Sequence, residues 1–148
     1  MRKFAIVVAA LMGTTACIPI PMWRQATVRP ALELTLTTHE GKPAPEVEVR
    51  IRRFISGPPP DTETHRWIDA SDAEGKLVLE ALEQQERYAP LMMHGVNWYA
   101  WQICADHPKY GVATHRIGGT QPLMPAQTVA LQLDPQVPGC DWTPMSPP

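Results

Sequence analysis

The chain has 148 residues, with 13 basic against 15 acidic side chains, 17 prolines and three cysteines. That length holds one domain with a real core and is too short for two ordinary ones. The mild negative charge, with no basic patch beyond Arg50-Ile51-Arg52-Arg53, argues against nucleic acid as a partner.

At the N-terminus, Arg2 and Lys3 precede nine apolar residues and then the small residues of Gly13-Thr14-Thr15-Ala16. A positive segment, a short apolar run and small residues before a cut make up a secretory signal peptide, predicted over residues 1–16. The apolar run is too short to cross a bilayer, which takes about 20 residues. The stretch Thr14–Cys17 resembles a bacterial lipobox, in which the cysteine becomes the first mature residue and carries lipid. Thr14 stands where that motif usually has leucine, and Thr14 with Ala16 also suits an ordinary signal peptidase. The lipobox implies acylation of Cys17, and Ile18 after it, in place of aspartate, implies the outer membrane. Cysteine arithmetic agrees: an anchored Cys17 leaves Cys104 and Cys140 as an even pair, expected to form a disulfide in an oxidising compartment.

Removing residues 1–16 leaves 132 residues, with 11 basic against 15 acidic side chains. Every proline lies in that mature part. Because proline cannot donate to a sheet ladder, residues 17–30 are expected to be a tether and residues 141–148 a loose tail, around a domain at 31–140.

Between the prolines, apolar residues alternate. Leu32, Leu34 and Leu36 share one face, as do Val47, Val49 and Ile51. Tyr99, Trp101 and Ile103 oppose Ala100, Gln102 and Cys104, and Val129, Leu131 and Leu133 repeat the pattern. Residues 65–70 and 76–81 add two strands around the turn Ser71–Gly75, and residues 110–117 add another. Short runs of period two separated by turns predict the half-buried strands of an all-β sandwich. Glu80–Ala89 is left open between a short helix and a loop. Arg50 and Arg52 are expected on a solvated strand face.

With the strands in order, residues 31–134 resemble transthyretin-like and carboxypeptidase-regulatory-like domains. The resemblance rests on Glu40–Ile51, a glycine turn and proline bend before an alternating strand. It rests also on Asp69–Leu82, similar to that superfamily's hairpin, and on Trp98–Gly111, similar to its aromatic strand and corner. It implies a seven- or eight-stranded sandwich, transthyretin-like or immunoglobulin-like, used mostly for binding, stability or assembly. One branch of the superfamily is enzymatic and ends in Tyr-Arg-Gly-Ser. This chain ends Asp141-Trp142-Thr143-Pro144-Met145-Ser146-Pro147-Pro148, so that activity does not carry over.

No catalytic constellation stands out. Ser56, Ser71 and Ser146 lack a G-x-S-x-G setting. Asp69, Ser71 and Glu80 mimic a calcium loop, but Glu74 occupies the position that needs glycine. The five histidines show no zinc spacing. Met92, Met93 and His94 are soft donors of the kind that hold copper(I), which makes a copper-handling protein or an enzyme with a scattered site the alternative reading. Otherwise neither a cofactor nor a metal is expected. Trp67, Trp98, Tyr99, Trp101 and Trp142 are the candidate partner surface, since such rings favour interfaces. The overall expectation is a non-enzymatic envelope lipoprotein, lipid-anchored and facing the periplasm, that presents a sandwich to a protein partner.

Overall fold

Each run of alternating apolar residues forms a strand. The computed structural model describes residues 22–56, 62–88 and 98–140. Among the described residues there are nine strands and no helix: β1 Met22–Arg29, β2 Leu32–Thr37, β3 Glu48–Ser56, β4 Thr62–Ala70, β5 Lys76–Leu79, β6 Leu82–Tyr88, β7 Trp98–His107, β8 Gly111–Gly119 and β9 Gln127–Gln132. Seven of them build two sheets, in the orders β5-β2-β9 and β4-β3-β7-β8, and β1 pairs with β6 in a separate ribbon. The all-β sandwich expected from the periodicity is thus present.

The core lies between the two sheets. Leu32, Leu34 and Leu36 of β2, Leu77 and Leu79 of β5, and Val129 and Leu131 of β9 project from one side. Val49 and Ile51 of β3, Tyr99, Trp101 and Ile103 of β7, and Ile117 of β8 project from the other. Each fully buried aliphatic side chain contributes roughly 1.5–3 kcal/mol of transfer free energy, which is why period two decides the fold here. Pairing is antiparallel throughout, except that β2 runs parallel to β9.

Residues 71–75 do not close a hairpin between paired strands. β4 pairs with β3 and β5 pairs with β2, so the turn carries the chain from one sheet to the other. Asp72 Oδ1 accepts from the backbone N–H groups of Glu74 (3.0 Å) and Lys76 (2.7 Å). Gly75 has φ +72°, and a Cβ there would lie 2.4 Å from the Leu36 carbonyl oxygen. Ser71, buried under the same corner, donates to Ala44 O and accepts from Val47 N, both at 3.0 Å.

Two expectations are corrected. The segment Met22–Arg29, read as part of a tether, is strand β1, with Ala26, Thr27 and Val28 buried. Leu82–Tyr88, left open between helix and loop, is strand β6. The two belong together. Arg29 stands opposite Leu82 and Leu32 opposite Leu79, so two residues lie between the two pairs on each side. The Arg29–Leu82 pair therefore keeps the register of the β2–β5 pair, and a one-residue shift between Thr27 and Arg29, of the kind that bends a strand, offsets the rest of the ribbon. Arg29 braces the bend by donating from Nε (3.3 Å) and Nη2 (3.1 Å) to Glu80 O.

Candidate functional site: the seam beneath the ribbon

The β1–β6 ribbon continues one sheet and lies against the other, and a polar cluster fills the seam. Its centre is Arg53. The alternation that turns Val49 and Ile51 inward turns Arg53 inward as well, and its side chain is wholly buried. A buried guanidinium requires a counter-charge and full hydrogen bonding. Glu86 of β6 supplies the counter-charge and two hydrogen bonds, accepting from Nη1 at 2.5 Å and from Nη2 at 2.8 Å, while Arg53 Nε is buried with no partner among the described residues. Such bidentate geometry matches the planar fork of arginine to a carboxylate. Nη1 also donates to Thr64 Oγ1 at 3.4 Å.

Aromatic rings enclose the pair. The Arg53 guanidinium lies 5.4 Å from the Tyr99 ring centroid and 6.0 Å from that of Trp101. Arg24 of β1, opposite Glu86 in the ribbon, donates to the Tyr99 hydroxyl. Trp101 Nε1 donates to Val28 O at 2.9 Å, tying the core ring to the ribbon backbone. At the open side of the seam, His65 stacks on Trp67 at 5.6 Å, and Arg29 stands 5.8 Å from the Trp67 ring.

Titration in the seam follows from this setting. Burial pushes the Glu86 carboxyl up, but the Arg53 hydrogen bonds and charge, with smaller help from Gln84 and His65, outweigh it and leave Glu86 below the usual glutamate range. His65 is lowered from its ordinary value, first by burial and then by the Arg53 charge, with Glu86 opposing. The cluster at neutral pH is therefore an ionised carboxylate on a buried arginine beside a neutral imidazole. It can hold two elements together. It offers no nucleophile next to a base, as covalent catalysis would need.

The structure gathers Trp67, Tyr99 and Trp101 of the candidate aromatic surface, but it turns them inward. Tyr99 and Trp101 are buried, so they are not a surface for a partner. Trp98 is half-buried and lies against Gly118, where an added Cβ would come within 2.9 Å of its Nε1. Trp142 lies outside the described residues, as do Cys17, Met92, Met93 and His94. Cys104 and Cys140 are joined in a disulfide, with their Cα atoms 5.8 Å apart. Among the described residues, no three His, Cys, Asp or Glu side chains are placed to hold a metal.

Sequence reasoning missed Arg53 and Glu86. The parity of β3 carried the signal for Arg53. Nothing local signals Glu86, because its partner is 33 residues away.

A second concavity lies at the far end of the sandwich. It is an open cleft of about 500 Å³ lined by Thr38, His39, Lys42, Lys109, Tyr110 and Pro135. His107 stacks on Tyr110 there at 4.3 Å. Lys42 pairs there with the neighbouring exposed Glu40 at 2.6 Å, and the Lys109 ammonium lies 5.4 Å from the Tyr110 ring centroid.

The apolar side chains left facing solvent lie elsewhere. Trp23 on β1 (68% exposed), Ile68 on β4 (62%) and Val78 on β5 (70%) are the most exposed. β4 and β5 are the edge strands of their sheets and are joined directly by the turn at 71–75, and by strand alternation Ile68 projects outward from one sheet and Val78 outward from the other, on either side of that shared edge. Compared with known proteins, the chain matches no family model, no curated protein and no solved structure.

Proposed function

We propose that this chain is a non-enzymatic lipoprotein of the bacterial envelope, which holds a transthyretin-like β-sandwich beside the membrane for a protein partner. The exposed edge carries this reading. Ile68 and Val78 face solvent on adjoining edge strands, and each of those strands has a backbone partner on one side only among the described residues. Free edges bearing apolar side chains are where an extended segment of another protein adds to a sheet. The seam supports the same reading from the other direction, because its charged and aromatic groups are engaged with one another.

The anchor is Cys17, acylated after removal of residues 1–16, and the address is the outer membrane facing the periplasm. Labelling with palmitate tests this. Cys17→Ser is expected to abolish labelling and to move the protein from the membrane to the soluble periplasmic fraction while the sandwich stays folded. Wild-type protein recovered as a soluble species with an unmodified Cys17 would contradict it.

A further inference from the structure

We propose that the tip of the β1–β6 ribbon is a membrane-seating surface, occupied by the face of the bilayer in which Cys17 is anchored. The proposal rests on the lipoprotein reading above and names where that lipoprotein touches lipid.

The first argument is reach. Strand β1 begins at Met22, so four residues separate it from Cys17. Five Cα steps span at most about 18 Å when fully extended. The folded ribbon is therefore held within the depth of a headgroup layer or two of an acylated Cys17. A tether running to residue 30 would have allowed the sandwich to float free; the strand does not.

The second argument is chemistry. Trp23 and Arg87 stand opposite each other at the ribbon tip, and both are exposed. Tryptophan settles at the boundary between water and hydrocarbon, with its ring in the apolar side and its N–H in the wet side. Arginine lays its stem along the same boundary and sends its charge to lipid phosphate. Further from the tip the same face changes character, to Gln25 opposite Gln85 and then to exposed Glu83. A carboxylate would be repelled by an anionic surface, so only the tip matches it.

The third argument is rigidity. Successive residues on a strand point to opposite faces. Arg24 and Glu86, on the other face of the same ribbon, are fastened to Tyr99 and Arg53 of the sandwich. With those held inward, Trp23 and Arg87 are held outward. The ring is thus presented by a braced element rather than by a loose chain end.

The test uses the full mature protein in vesicles of phosphatidylethanolamine and phosphatidylglycerol with brominated acyl chains. Bromine quenches only indoles at the bilayer. Wild-type protein is expected to lose emission, and Trp23→Phe is expected to lose most of that quenching while its melting temperature is unchanged. Arg87→Glu is expected to weaken the quenching without moving the emission of the buried rings. Equal quenching of wild type and Trp23→Phe, both acylated by intact mass, would overturn the seat and leave the anchor standing. An unmodified Cys17 in the same mass spectrum would overturn the anchor and, with it, the seat.

Discussion

Arg53 on β3 and Glu86 on β6 meet in a doubly hydrogen-bonded ion pair that joins the ribbon to the four-stranded sheet. The arginine is wholly buried and the Glu86 side chain is only 18% exposed. Removing one partner strands the other without water to replace it. Glu86→Ala is expected to lower stability by about 2–4 kcal/mol, read from the midpoint of urea unfolding. The double variant Arg53→Met with Glu86→Leu is expected to recover most of that loss, because it buries no charge. A single variant within about 0.5 kcal/mol of wild type would mean the pair is not a clasp.

The same pair sets a pH dependence. Glu86 is held below its ordinary value of 4.5, so the stability it contributes is present above pH 4.5 and is lost as pH falls through its folded value. His65 is held below its ordinary value of 6.5, so the unfolded chain takes up a proton that the fold refuses as pH drops below 6.5. Both effects weaken the fold in acid. Thermal melts between pH 7.5 and 3.5 should therefore show a steady fall starting near pH 6.5. Glu86→Gln should flatten the portion below pH 4.5, and His65→Gln the portion above it.

Strand β1 belongs to the domain, and truncation tests that. A chain starting at Ala31 loses buried Ala26 and Val28 and leaves Trp101 Nε1 without its Val28 carbonyl. It also loses the loop contact in which Thr27 N donates to Pro122 O at 2.7 Å. The expected loss exceeds about 4 kcal/mol, a large share of what a small domain has. A chain starting at Ile18 should melt like the mature protein in the same circular-dichroism experiment.

The disulfide between Cys104 and Cys140 closes a loop with a sequence separation of 36. In the chain-entropy account that contributes about 3–4 kcal/mol. Reduction should lower the melting temperature by several degrees, and Cys140→Ser should do the same without reductant. Two free thiols in a non-reducing peptide map would contradict the bond.

How much of this was legible can be argued from single residues. Leu32, Leu34 and Leu36, and Val49 with Ile51, marked their strands because their partners are water-avoiding and need no particular neighbour. The cysteine pair was legible because an even number remains once Cys17 is set aside. β1 was hidden because Pro30 follows it, and its buried residues, Ala26, Thr27 and Val28, are small or adjacent rather than alternating. β6 was hidden because Leu82–Tyr88 is rich in good helix formers, and the inward turn of Glu86 is explained only by Arg53 in a strand distant in sequence. The inward rings were misplaced as a surface for the same reason. Only the three-dimensional pairing shows that arginines cover Tyr99 and Trp101.

The central claim is that one edge of this sandwich receives a protein, and site-specific photo-crosslinking in intact envelopes tests it most directly. A photoreactive residue is placed at Ile68 or Val78, and in separate strains at exposed Leu123 or Val137, which lie beyond β8 and β9. The account predicts one discrete adduct of the same higher mass from positions 68 and 78, and none from 123 or 137. No adduct from the edge, or the same smear from all four positions, would contradict it.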